Sequence, residues 1–91
     1  MELIKLNEAY TLTDNPENGW AVSGQVIKEN NGAIRINFSA SNNEHHVGSY
    51  NYSYMVDGNV SVNINCAENY YDALTEYGQT LTNQILETIN N

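Results

Sequence analysis

Four stretches of this chain alternate apolar and polar residues with a strict period of two, and that alternation limits the fold more than any other feature. Trp20, Val22, Gly24 and Val26 fall on one side of an extended backbone, and Ile34, Ile36, Phe38 and Ala40 on one side of the next. Tyr50, Tyr52, Tyr54 and Val56 follow, then Val60, Val62, Ile64 and Cys66. The positions between them are mostly small and polar: Ser23 and Gln25; Arg35, Asn37 and Ser39; Asn51 and Ser53; Ser61, Asn63 and Asn65. Period-two runs of this length belong to half-buried antiparallel strands, with one face on a core and the other in water. Strands are predicted over 20–29, 33–41, 48–56 and 60–65.

Register selects the turns. A two-residue Asn31-Gly32 loop would set Val26 against Asn37, so the apolar faces would disagree. A three-residue loop, Asn30-Asn31-Gly32, pairs Val26 with Ile36 and Gly24 with Phe38, and puts glycine where a left-handed residue is needed. The same test predicts a loop of Asp57-Gly58-Asn59, pairing Val56 with Val60, Tyr54 with Val62 and Tyr52 with Ile64, with Asn59 taking the positive φ. Residues 41–49 join the two hairpins, with Asn42 to His46 as the tip. At the N-terminus Ile4, Leu6, Tyr10 and Leu12 alternate around Glu8, so residues 2–13 read as one edge strand, with a helical turn as the rival. Asp14 to Gly19, which holds the only proline, reads as a loop.

From Cys66 the period changes. Apolar or aromatic residues fall at 67, 70, 71, 74, 77, 81, 85, 86 and 89, which is helical spacing. Asn65 is the expected N-cap, with Glu68 at N3 in a capping-box arrangement. The predicted helix covers 66–89, and Gly78 on its inward side marks a close approach to the sheet, with Trp20 or a tyrosine as neighbour. The fold class is therefore α+β: a four- to five-stranded antiparallel β-meander with one long C-terminal α-helix packed on its apolar face, in one domain over residues 1–91.

Chemistry is sparse. The single cysteine, Cys66, forms no internal bridge and suits a reducing compartment. No window approaches a membrane span, and the first residues lack the pattern of a signal peptide, so a cytoplasmic setting is expected. His45 and His46 are adjacent beside Glu44, and neighbours on an extended backbone point to opposite sides, so no metal site is expected. There is no Gly-rich phosphate loop, Cys-X-X-Cys, Gly-X-Ser-X-Gly or His-Glu-X-X-His. No catalytic residues, cofactor or metal are assigned, and the chain is expected not to be an enzyme.

Charge is the remaining signal. Eleven acids face three bases, a formal charge of −8, and no lysine or arginine follows Arg35. Such a balance repels DNA, RNA and anionic lipid and attracts basic protein surfaces. Glu68, Asp72 and Glu76 recur every four residues along the predicted helix, and Gln79, Asn83 and Glu87 extend that outward stripe. Either Tyr70 or Tyr71 is a candidate interface anchor, and Tyr71 is chosen. The expected partner-binding set is Glu68, Asp72, Glu76, Tyr71, Gln79, Asn83 and Glu87. The expected function is a small acidic inhibitor of a basic, nucleic-acid-binding protein. By size and charge it has the character of a phage or plasmid anti-defence (anti-CRISPR-like) inhibitor or an immunity protein. The alternative is an assembly module that homo-oligomerises through sheet edges or the polar sheet face, and small-ligand binding between sheet and helix is a third, weaker reading.

Overall fold

The computed structural model describes residues 1–6, 9–16, 18–43 and 45–90, with only the backbone of Lys5 and Leu6. Glu8 and Glu44 lie outside the described residues. Six strands form one antiparallel sheet in sequence order: β1 (Glu2–Leu6), β2 (Ala9–Asp14), β3 (Ala21–Lys28), β4 (Ile34–Asn42), β5 (His45–Tyr54) and β6 (Val60–Cys66). A 3₁₀ turn (Glu68–Tyr70) leads into helix α1 (Tyr71–Ile89). The class is α+β as expected, with six strands rather than four or five.

Two rows of side chains cross the sheet and form the floor of the core. One runs Leu3, Leu12, Gly24, Phe38, Tyr50, Ile64, and the other Tyr10, Val26, Ile36, Tyr52, Val62. Leu74, Leu81 and Ile85 of α1 are buried against this face with Leu12, Val26, Ile36 and Tyr50. Fully burying one such side chain is worth about 1.5–3 kcal/mol, so the shared face supplies most of the driving force.

Parity explains where the sequence reading holds and where it fails. An odd-length loop keeps even-numbered residues facing even-numbered ones, and a two-residue loop flips them. The β3–β4 loop has three residues, as predicted: Glu29 N–H donates to Ala33 O (2.8 Å), and Gly32 takes φ +95°. The β5–β6 loop also has three, but they are Val56, Asp57 and Gly58, closed by Met55 N–H donating to Asn59 O (2.8 Å). Gly58, not Asn59, occupies the left-handed position at φ +90°, because glycine does so without a Cβ clash. The pairs are therefore Tyr54–Val60, Tyr52–Val62 and Tyr50–Ile64, two residues from the predicted register but with the same faces. Both turns are built alike: Asn31 Oδ1 accepts from Ala33 N–H and Asp57 Oδ1 from Asn59 N–H, each at 3.0 Å.

The same rule governs the N-terminal residues and the β4–β5 tip. Residues 2–13 are a hairpin of two strands, not one, with Leu6 paired to Ala9. Its two-residue connection flips parity, so Leu3 joins the core and Ile4 faces outward, 51% exposed. At the β4–β5 tip Asn42 pairs with His45, which flips parity again. A bulge then restores it: Ala40 pairs with Gly48 but Ser41 with His46, leaving Val47 as the extra residue. Without that insertion Tyr50 and Tyr52 would point away from Phe38 and Ile36.

The helix begins later than predicted. Asn65 is a strand residue paired with Ser49, so no capping box forms, and Tyr70 occupies the N-cap without a side-chain hydrogen bond. The 19 residues of α1 span about 28 Å at 1.5 Å per residue. At its far end Lys28 Nζ donates to Ile89 O (3.4 Å) and to Asn90 Oδ1 (3.3 Å), placing a cation at the negative pole of the helix.

Gly78 rests on Tyr50, where a Cβ would fall against the ring. Alanine at position 78 gains roughly 1 kcal/mol of helix propensity but overpacks a closed contact, typically a loss of about 1–3 kcal/mol. The added Cβ would meet several ring atoms of Tyr50, so the loss falls in the upper part of that range. Gly78→Ala is therefore expected to destabilise by about 1–2 kcal/mol net, read from the midpoint of urea unfolding. An unchanged or raised midpoint would show that the helix does not need this approach.

Candidate functional site

Helix α1 lies diagonally on the sheet. Its start follows directly from β6, its middle sits over Tyr50 of β5, and its last turn reaches Lys28 at the end of β3. The divergence leaves part of the apolar face of β5 and β6 uncovered. Tyr54 (38%), Val60 (55%) and Val62 (49%) are exposed, whereas Ile64 and Cys66 nearer the helix start are half-buried. Between α1 and the two strands runs a groove of about 560 Å³, with Tyr50, Tyr52, Val62 and Ile64 on the sheet side and Tyr71, Thr75, Gln79 and Asn83 on the helix side. Thr82 is buried at its floor, and its Oγ1 makes no hydrogen bond of normal geometry among the described residues. Burial raises the Tyr50 hydroxyl above its ordinary pKa, with the nearby Thr82 hydroxyl partly opposing that rise. Tyr52 is raised by burial and then by its tyrosine neighbours, so both rings are neutral donors at physiological pH.

The seven residues singled out in the sequence divide between two adjoining surfaces. Asp72, Glu76, Asn83 and Glu87 are exposed and lie within about 60° of one another at 100° per residue, opposite the buried Leu74, Gly78 and Ile85. Gln79, Asn83 and Tyr71 edge the groove, with Tyr71 51% exposed. Tyr70 turns inward, edge-on to Trp20 at 6.5 Å, which separates the roles of the two neighbouring tyrosines. Glu68 is exposed but belongs to the 3₁₀ turn, so its spacing to Asp72 is not one continuous α-helical step. Among the described residues no cation faces these carboxylates: Lys28 holds the helix C-terminus and Arg35 Nη2 pairs with Glu29 Oε1 at 3.5 Å. What sequence reasoning missed is the groove. Its only sequence signal is that β6 keeps an apolar face at Val60 and Val62, on the strand least covered by the helix.

The polar face of the sheet is regular and almost uncharged. Thr11, Gln25, Asn37, Asn51 and Asn63 form one cross-strand row, and Thr13, Ser23, Ser39, Ser49 and Asn65 another. It holds a shallow depression over Gly24. His45 and His46 are exposed at the start of β5, and no group of three or more metal-ligating side chains occurs among the described residues. No helix among them is long and apolar enough to cross a membrane.

The most perturbed titrating pair lies on the other flank of α1 and ties the fold together. Tyr77 packs edge-on against Trp20 (5.8 Å) and Phe38 (5.7 Å), and its hydroxyl donates to Asp14 Oδ2 at the end of β2. Burial, then the Asp14 hydrogen bond and charge, push the Tyr77 hydroxyl far above its usual range. Burial on its own would raise Asp14. The Tyr77 hydroxyl and the Met1 amino group, 3.0 Å from Oδ1, outweigh it and hold the carboxyl below its ordinary value. A tyrosine locked neutral against a carboxylate held ionised is a structural clasp, with no group poised to exchange protons near neutrality.

A carboxyl whose folded pKa is lowered adds stability above its unfolded value, near 3.9, and that stability is lost as pH falls through the folded value. Tyr77→Phe is therefore expected to lose about 1 kcal/mol at neutral pH. The gap to wild type should close on acidification below about pH 4, followed by thermal melts across pH. A gap that persists undiminished at low pH would mean that Asp14 takes no part. Set against models of known families, curated proteins and solved structures, the chain matches none.

Proposed function

We propose that this chain acts by binding rather than catalysis, in the cytoplasm, and that it inhibits a basic, nucleic-acid-binding protein by occupying that protein's cationic surface. The observation that carries this reading is the uncompensated outer face of α1. Asp72, Glu76 and Glu87 stand exposed along one stripe, Glu68 adds a charge at its start, and no cation among the described residues faces them. A helix kept acidic only for solubility would mix the signs, since like charges at i, i+4 cost a few tenths of a kcal/mol each. Opposite a Lys/Arg cluster the same carboxylates take the place of nucleic-acid phosphates and block access to them. Tyr71 at the margin of the stripe supplies an aromatic anchor. The second reading, homo-oligomeric assembly, is favoured by one observation, the open β6 edge of the sheet.

Association driven this way is fast and sensitive to ionic strength. Capture from host lysate on the immobilised chain is expected to recover a basic protein at about 50 mM salt and at least tenfold less at about 200 mM. The triple variant Glu68→Lys, Asp72→Lys, Glu76→Lys should fold normally, its changes being at exposed positions, and lose the captured protein at either salt. Equal recovery by variant and wild type would overturn the acidic-helix reading.

A further inference from the structure

Edge strands are normally protected against pairing with foreign chains by charge, proline, bulges or cover. The two edges of this sheet differ in that respect. β1 carries Glu2 and Lys5, whereas β6 (Val60–Cys66) holds no charged residue and no proline, and its pairing with β5 is continuous. The ladder fixes which backbone groups β6 leaves free. Met55 N–H donates to Asn59 O at the hairpin end, so in antiparallel alternation Ser61, Asn63 and Asn65 turn their N–H and C=O groups to β5. Val60, Val62, Ile64 and Cys66 turn theirs to the open side, and no backbone or side-chain bond to these four is found there among the described residues. The free backbone edge therefore adjoins the same apolar side chains that line the groove beside α1.

Charge selects the occupant. Asp57 stands just before β6 and Glu68 just after it, Asp72 and Glu76 follow on the first turns of α1, and no lysine or arginine occurs in the sequence after Arg35. A second copy would bring another −8 to the same edge. We propose that an extended segment of the basic partner, carrying arginine or lysine at its ends and apolar residues between, adds to β6 as a seventh strand with its apolar side chains in the groove beside Tyr71. This deepens the proposed function and rests on the same partner class. Main-chain bonds supply affinity in this mode, and pockets for alternate side chains supply selection. The Thr82 hydroxyl, beside that of Tyr50 at the groove floor, offers a polar contact to a side chain inserted there.

The test uses a capped heptapeptide, Arg-Thr-Val-Thr-Val-Thr-Arg, and its counterpart with glutamate in place of arginine, titrated into the whole chain and followed by amide NMR and hydrogen exchange. The amides of Val60, Val62 and Ile64 are expected to shift and to gain at least about tenfold protection, while Ser61 and Asn63, already bonded to β5, change little. The glutamate peptide should bind at least about tenfold more weakly. Val62→Pro removes an outward N–H and no ladder bond, so the variant should keep its fold and lose the peptide. Asn63→Pro, which removes a ladder bond, should melt far lower.

No added protection at Val60, Val62 and Ile64 with saturating peptide overturns the inference, and this reading needs no variant to fold. Equal binding of the two peptides overturns it too, as does a chain that sediments as a dimer and becomes a monomer on Val62→Pro, because the occupant is then a second copy. If Val62→Pro still captures the basic protein from lysate while the triple charge reversal does not, the edge fails as the site and the acidic helix stands.

Discussion

The structure depends on one contact, the seat of Gly78 on the ring of Tyr50. A single helix covers a six-stranded sheet only where it comes close enough for Leu74, Leu81 and Ile85 to reach the floor of the core. The missing side chain at position 78 sets that height, and the stacked Phe38–Tyr50 pair, with ring centroids 5.2 Å apart, supports it from beneath. With the middle fixed, the two flanking ties set direction. Tyr77 to Asp14 draws one flank of the helix towards β2, and Lys28 holds the last carbonyl at β3. The diagonal that results buries β2 to β5 and leaves the outer part of β6 bare.

Most of the sheet was legible because its information is local and binary. Each strand announces its face by alternation, and a correct loop length follows from requiring faces to agree, as at Asn30-Asn31-Gly32. The misreadings share a cause. Alternation fixes register only modulo two, so the Asp57-Gly58 hairpin slid by two residues without disturbing any face, and only the preference of glycine over asparagine for positive φ decides it. At residues 2–13 the alternation of Ile4, Leu6, Tyr10 and Leu12 runs on from β1 into β2, and the parity flip between the paired Leu6 and Ala9 is invisible to a pattern that continues in phase. The Val47 bulge is the complementary case, a flip that the chain corrects. The expected Asn65 cap failed because strand pairing with Ser49 competes for the same residue, and the ladder bond prevails over a local cap.

The candidate surface was half legible for a related reason. A helical period tells which residues of α1 face outward, and Asp72, Glu76, Asn83 and Glu87 are indeed exposed. It does not tell the angle at which a helix crosses a sheet. That angle comes from three tertiary contacts, two of them between residues more than sixty positions apart. Hence Val60 and Val62, which look like core in the sequence, lie in the open, and their exposure becomes visible only once the helix has been placed. The acidic stripe and the bare edge are adjacent because the same diagonal turns one towards solvent and withholds cover from the other.

The strictly sequential order of the sheet bears on how the chain reaches this state. Every strand pairs only with its neighbours in sequence, through loops of a few residues, so loop-closure entropy along the meander is small and the relative contact order is low for a sheet protein. The sheet can grow one hairpin at a time as the chain emerges, but its apolar face stays wet until the last quarter of the sequence arrives. Docking of α1, the one step that joins distant positions, is therefore the cooperative event. A chain interrupted before residue 71 would hold correct hairpins and no core.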